Sequence, residues 1–358
     1  MKSIYFTPGP SQLYPTVPNY FQKGLKGDIG SLSHRSSQFQ EIYQSLTQGL
    51  QKLLNIPSDY HVFIVGSGTE AMERAVQNCV EKYSFHFING SFSKRFYTTA
   101  QELGKKPASY EVPFGESFQF QEVVIPKQTE LICFTHNETS TGVMIPVKEI
   151  SAVAKKYPDM LIAVDIVSSA PYVDLAYQLL DVVFFSVQKG FGAPAGLGIM
   201  IVSPRAMKKA EKLVKKGIST GSYHGFLSLL KFATKFQTPE TPPVLEMYVL
   251  DKVIEDMLET GIKKIRKETE EKAKLLYSFL DGSDFFAALV KEPPYRSQTV
   301  IVADVTKAKG DVGKILADKG LIVGSGYGET KKTHIRIANF PAHSIGDIKK
   351  LIRELKKI

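Results

Sequence analysis

The sequence predicts an α/β protein, with a large and mostly parallel sheet covered by helices and a smaller C-terminal α/β domain. Three features carry that prediction. Short, near-continuous apolar runs alternate with stretches of helical periodicity, the pattern of strands buried on both faces. Glycine-bearing and polar segments follow the ends of several of those runs, where ligands gather in open parallel sheets. A proline-rich stretch, Phe236-Gln237-Thr238-Pro239-Glu240-Thr241-Pro242-Pro243, then breaks the alternation. We therefore expect a large domain over 15–243 and a small one over 244–358, with residues 1–14 packing near the small one.

Taken in order, residues 1–40 read as loop, because Phe6-Thr7-Pro8-Gly9-Pro10 is rigid and excluded from helix. Ser33-His34-Arg35-Ser36 precedes an amphipathic helix expected over Ser37 to Leu54. His34 and Arg35, side by side before a helix start, either receive an anion or are exposed polar residues. His61–Val65 reads as a strand, Gly66-Ser67-Gly68-Thr69 as a turn, and Glu70 to Val80 as a helix. Strand, glycine turn and helix together hold phosphate well. Backbone N–H groups and the helix N-terminus point at the anion, and Ser67 and Thr69 add hydroxyls. Gly66, Gly68 and Ala71 also fit the dinucleotide pattern G-x-G-x-x-A, which wants an acidic residue at the end of the next strand. That strand, Phe85–Ile88, ends in Asn89-Gly90, which argues against a nicotinamide-dependent dehydrogenase. Further strands are expected at Leu131–Phe134, Leu161–Val164, Val182–Phe185 and Ile199–Val202, with helices near 92–104, 147–156 and 169–179. A long charged helix is expected over about 246–279. Strand, strand, helix, strand, strand, helix then follow to Ile358.

Composition excludes several classes. Hydrophobic residues make up 43% and charged residues 23%, which is ordinary for a globular chain. The two cysteines, Cys79 and Cys133, imply no disulfide framework. No run of about 18 apolar residues suggests a membrane span. The start, with prolines at 8 and 10, lacks the apolar core of a signal peptide. A cytoplasmic protein without a membrane partner is the expectation. The net charge of +9 is concentrated around 208–216 and 263–267, interleaved with Glu211, Glu268, Glu270 and Glu271 at helical spacing. Solvated helix faces explain it better than a nucleic-acid groove. No metal site is assigned.

Lys189 stands between two apolar runs, in the glycine-rich segment Ser186 to Gly198. Burial disfavours an ammonium, so a lysine there is closer to a neutral amine, the form that makes Schiff bases. The alternative is a surface lysine at a strand end. Asp165 follows Leu161–Val164, and the hydroxyl-bearing run His136-Asn137-Glu138-Thr139-Ser140-Thr141-Gly142 follows another strand. A phosphate cradle, a carboxylate, a hydroxyl loop and an amine thus converge on one sheet edge. Pyridoxal phosphate needs each of them. Its phosphate takes the turn, its aldehyde the lysine, and its ring nitrogen a carboxylate. Its ring face takes an aromatic or apolar plate.

On these residues the chain resembles, nearly end to end, the class V, fold-type I pyridoxal-phosphate aminotransferases. It looks closest to the group holding phosphoserine aminotransferase and the alanine/serine–glyoxylate aminotransferases. The resemblance implies that Lys189 carries the cofactor and shuttles the substrate α-proton. It implies that Asp165 pairs with the ring nitrogen, and that Thr139 bonds the phenolic oxygen. Ser67, Gly68, Thr69 and Gln188 would hold the phosphate. Thr241 would reach the phosphate of the neighbouring subunit in a homodimer with shared active sites. Phe92, in Asn89-Gly90-Ser91-Phe92, stands where the family usually stacks a tryptophan. Arg336 would clamp the substrate carboxylate, and His34 and Arg35 would help bind a substrate phosphate. Cysteine desulfurases share the fold but need a thiol in the small domain, and no cysteine follows Cys133. The phosphoserine enzymes commonly carry Gly-His-Arg-Ser before the last strand. This chain has Gly324-Ser325-Gly326-Tyr327-Gly328-Glu329-Thr330-Lys331-Lys332-Thr333-His334. Phosphohydroxypyruvate with glutamate is the expected substrate pair, and a glyoxylate-type transamination is the alternative.

Overall fold

The computed structural model describes residues 3–358. Its strands are β1 (Ile4–Phe6), β2 (His61–Val65), β3 (Tyr83–Ile88), β4 (Lys106–Glu111), β5 (Leu131–Thr135), β6 (Asn137–Glu138), β7 (Val143–Met144), β8 (Leu161–Asp165), β9 (Val182–Ser186), β10 (Gly198–Val202), β11 (Ala287–Ala288), β12 (Val300–Asp304), β13 (Leu321–Ser325) and β14 (His334–Ala338). Its helices are α1 (Val17–Lys26), α2 (Ser37–Leu54), α3 (Gly68–Cys79), α4 (Ser91–Glu102), α5 (Val147–Lys156), α6 (Pro204–Lys215), α7 (Phe226–Ala233), α8 (Val244–Thr260), α9 (Ile262–Asp281), α10 (Val312–Ala317) and α11 (Ile345–Leu355).

Seven strands form the central sheet, in the order β2-β10-β9-β8-β5-β3-β4. They run parallel except β10, which is antiparallel to both neighbours. The near-continuous apolar runs have a simple cause. Successive side chains point to opposite faces of a strand, and here both faces are covered. Ile132, Phe134, Ile162, Val164, Val183 and Phe185 join one core with α2, α5 and α8. Leu131, Cys133, Leu161, Ala163, Val182 and Phe184 join another with α3, α4, α6 and α7.

The second sheet has the order β1-β13-β14-β12-β11. Ile4–Phe6 pairs in parallel with Leu321–Val323, so the N-terminal strand closes a sheet otherwise made from the C-terminal part of the chain. Its core takes Leu276 and Leu280 from α9, Leu316 from α10 and Ile348 and Leu351 from α11. Among the described residues, no helix is long and apolar enough to cross a membrane.

Four local expectations are corrected. Residues 17–26 are helical, not loop: Pro18 sits in the first turn, where its missing N–H is no loss. Lys106–Glu111 is a strand that the sequence reading missed. It lies at the sheet edge with exposed and half-buried residues mixed along it, and an edge tolerates Pro107. The helix expected near 169–179 is instead a turn through 169–172, an extended link and a short 3-10 helix at Tyr177–Leu179. Pro171 has no N–H to give a helix, and Ala170 is pressed so close to Gly190 that a Cβ there would lie 1.9 Å from its carbonyl oxygen. The long helix expected over 246–279 is two helices, broken at Gly261 with φ +84°. That left-handed conformation suits glycine and ends α8, so that α8 packs on α1 and α2 while α9 packs on the second sheet.

The 169–179 loop is held in place of a helix by Tyr60, whose buried hydroxyl lies 2.7 Å from the Tyr177 carbonyl and 2.9 Å from that of Leu180. Tyr60→Phe leaves both carbonyls without that donor. The expected cost is about 1–3 kcal/mol, read as a lower urea-unfolding midpoint. An unchanged midpoint would show that the hydroxyl does not anchor the loop.

Candidate active site

Asp165 is the last residue of β8, and the loop carrying Lys189 leaves the end of the neighbouring strand β9. That loop is pinned by its own backbone, Gly192 N–H to Lys189 C=O at 2.9 Å and Ala193 N–H to Val187 C=O at 3.2 Å. The N-terminal segment braces it from outside: Ser11 N–H meets Gln188 C=O at 3.1 Å and Tyr14 N–H meets Gly192 C=O at 2.8 Å. Gly9 lies against the lysine stem, and a Cβ there would come within 2.7 Å of Lys189 Cε.

Ser67, Gly68, Thr69, Phe92, Thr139, Asp165, Gln188 and Lys189 line one cavity, together with Met72, Asn137, Val167 and Ser186. Lys189 is 7% exposed. Its Nζ donates to Thr139 Oγ1 at 3.2 Å and lies 5.1 Å from the centre of the Phe92 ring. Burial pulls the Lys189 amine below the ordinary lysine range, and the Asp165 carboxylate only partly offsets this. Burial likewise pushes the Asp165 carboxyl well above its ordinary range, against the Val167 N–H bond at 2.8 Å and the charge of Lys189. The second Asp165 oxygen takes no hydrogen bond from the described residues.

The turn after β2 places the N-terminus of α3 at the wall of this cavity. Ser67 caps α3 by accepting the Glu70 N–H at 3.0 Å, and the Gly68 N–H is held by Ser186 Oγ at 2.7 Å. The helix dipole favours negative charge at this end. Gln188 Oε1 and Asn137 Oδ1 are buried without a hydrogen-bond partner among the described residues. Such atoms beside a cavity suit a bound polar group. The donor set as a whole suits a phosphorylated aromatic carbonyl compound. Among the described residues, no group of three His, Cys, Asp or Glu side chains is placed to hold a metal ion.

Glu138 is a structural element that sequence reasoning missed. It is fully buried, and its carboxylate accepts the N–H groups of Phe92, at 3.1 Å, and Ser93, at 2.8 Å, together with the hydroxyls of Ser93 and Ser140. It thereby caps α4 and fixes both Phe92 and Thr139 at the cavity wall. Tyr327 was also missed. Its ring lies 5.6 Å from that of Phe92 and 5.2 Å from the Arg336 guanidinium, and Arg336 Nε donates to Ser325 C=O at 2.8 Å. A tyrosine in a glycine-rich loop was the available signal.

The remaining predicted residues gather elsewhere. Arg35 Nη1 donates to Thr238 C=O at 2.7 Å and Gln237 Oε1 at 3.0 Å, and the guanidinium lies over Phe232. His34 Nδ1 faces Thr241 Oγ1 at 3.4 Å. None of the three lines the Lys189 cavity. Lys331, Lys332 and His334 line a different cleft, beside Lys314.

A family model for the class V aminotransferases matches residues 4–338. The phosphoserine aminotransferase of Rhodococcus opacus is 28% identical over 355 residues, 97% of this chain and 92% of that one. A crystal structure of a phosphoserine aminotransferase from Cytophaga hutchinsonii superposes with a TM-score of 0.97 at 48% identity, covering 99% of this chain and 98% of its own. The alanine–glyoxylate aminotransferase of Nostoc sp. superposes at 0.79 with 21% identity, covering 100% of this chain and 95% of its own, a likeness of fold alone. With a match that enters at Ile4 and leaves at Ala338, running through both sheets and the Lys189 cavity between, the chain belongs to the class V aminotransferases.

Proposed function

We propose that the chain is a phosphoserine aminotransferase that uses pyridoxal phosphate and passes an amino group from glutamate to 3-phosphohydroxypyruvate. The observation that carries the cofactor reading is the meeting of a buried amine, a buried carboxylate with one free oxygen, a hydroxyl and a helix N-terminus in one cavity. The 48% identity to the Cytophaga hutchinsonii protein supports the substrate reading.

When bound, pyridoxal phosphate supplies an electron sink for charge developing at the substrate α-carbon. Asp165 would present its free oxygen to the ring nitrogen and help keep a proton there. Burial raises its pKa more than the Val167 N–H and the Lys189 charge lower it, and a protonated ring would add a second positive charge beside it. Thr139, in contact with Lys189 Nζ, would give its hydroxyl to the phenolic oxygen. Ser67, Gly68, Thr69 and Gln188 would hold the phosphate, and Phe92 would offer an aromatic plate to the ring. Lys189, whose burial lowers its pKa to about 8, would move the proton at the substrate α-carbon. Arg336, over the Tyr327 ring and tethered through Nε, would keep its two Nη groups for a carboxylate. The cluster of His34, Arg35 and Thr241 lies outside the cavity of its own chain, which supports a homodimer in which each subunit completes the other's site. We also place the protein in the cytoplasm, and divide it into a large unit and a smaller C-terminal one, with α8 on the core of the large unit and α9 on that of the small one.

Borohydride reduction followed by peptide mapping should place the pyridoxyl label on Lys189; a label on any other residue sinks the cofactor assignment. Lys189→Ala should lower turnover by at least about 10²-fold, measured in single-turnover amino transfer. Arg336→Gln should raise the KM for glutamate about 10- to 100-fold with a smaller change in kcat. Steady-state comparison of acceptors decides the substrate: phosphohydroxypyruvate should give the higher kcat/KM, and a much better result with glyoxylate would overturn the phosphoserine reading.

A further inference from the structure

His224 lies in the loop before α7 and is 4% exposed. Its Nδ1 is hydrogen-bonded to Glu70 Oε1, and its Nε2 lies 2.9 Å from Glu240 Oε2, an ion-pair distance off the line of a hydrogen bond. The other Glu70 oxygen accepts the Gly66 N–H at 2.7 Å, so this carboxylate holds the first residue of the glycine turn. On the far side, Glu240 belongs to the proline-rich stretch. Its carbonyl accepts the Thr238 hydroxyl at 2.7 Å, and the Thr238 carbonyl in turn accepts Arg35 Nη1. The next residue is Thr241, facing His34. One buried side chain thus stands between the anion seat and the cluster of His34, Arg35 and Thr241.

A neutral imidazole has one N–H, so one of two flanking carboxylates would meet a lone pair. An imidazolium donates at both nitrogens and answers both negative charges. We propose that His224, as an imidazolium between Glu70 and Glu240, is a positioning residue that ties the cofactor-phosphate turn to the segment bearing Thr241. The proposal rests on the reading of Gly66–Thr69 as the phosphate seat.

The charge balance around His224 agrees. From α3 it faces Glu70, with Arg74 beyond. From the proline-rich stretch it faces Glu240, and the Tyr223 ring packs on it at 4.1 Å. Burial opposes its charge, but the two carboxylates outweigh burial and raise its pKa to about 9. A histidine whose folded pKa exceeds its unfolded one contributes fully below the ordinary histidine range, and that contribution is lost as pH rises through about 9.

The test is the dissociation constant of pyridoxal phosphate, measured by equilibrium dialysis of the holoenzyme from about pH 7 to about pH 10 in wild type, His224→Gln and Glu240→Gln. Wild type should lose affinity about 5- to 10-fold as His224 deprotonates. His224→Gln should bind more weakly at neutral pH and lack that limb. Glu240→Gln, which removes one of the two carboxylates, should move the limb to lower pH. Lys189 titrates in all three proteins, so the difference between them isolates His224. A limb at the same pH in wild type and Glu240→Gln overturns the proposal, even if His224→Gln does not fold. Wild-type protein that takes up no pyridoxal phosphate removes the cofactor reading itself, a failure distinct from an unmoved limb.

Discussion

The middle strands of the central sheet, β5, β8 and β9, are apolar on both faces, and that constraint decides where chemistry can sit. Side chains of β5, β8 and β9 alternate between two closed cores, so a charged group on either face would be desolvated without a partner. Polar side chains therefore emerge where strands stop. Asp165 ends β8 beside Thr135 at the end of β5, and Ser186 ends β9 just before Gln188 and Lys189. The cavity is a consequence of strand ends that finish level and of loops that fold back over them.

Those loops would not hold a site unless their own polar groups were satisfied. Glu138 does this for the wall bearing Phe92 and Thr139 by collecting the N–H groups at the start of α4. His136 and Asn137 are tied to Ser169 and Ser168 at 2.9 and 2.8 Å, which joins the same wall to the turn after Asp165. With their surroundings fixed, Lys189 and Asp165 are held in a setting that favours the uncharged form of each. That is a poor arrangement for stability and a suitable one for receiving a charged aromatic ring.

The second sheet contributes through β14. Ile335 and Ile337 point into its core, and alternation turns Arg336 the other way, toward Tyr327 and Phe92. The left-handed glycine at 261 lets consecutive helices serve different cores, α8 that of the central sheet and α9 that of the second. Arg336 and the Lys189 amine thus come from separate sheets, linked by loops and by β1, which pairs with Leu321–Val323 and leads through Gly9 onto the lysine stem.

What could be read from the chain alone follows from local rules. Doubly buried strands must be apolar throughout, so β2, β5, β8, β9 and β10 were legible. A strand, glycine turn and helix is a local unit, so the turn and helix start at Ser67 to Thr69 were legible. A lysine in a loop of small residues between core strands pointed to Lys189. Features set by distant partners were not legible. Lys106–Glu111 is polar because it lies at an edge, and 169–179 is not a helix because Ala170 meets Gly190 and Tyr60 takes its carbonyls. Sequence by itself determined which residue types could do amine and phosphate chemistry, because periodicity and turn propensity are local. Tertiary structure alone decided that Glu138 caps α4, that Tyr327 covers Arg336, and that His224 stands between Glu70 and Glu240. Each of those contacts joins residues far apart in the chain, and only packing brings them within reach.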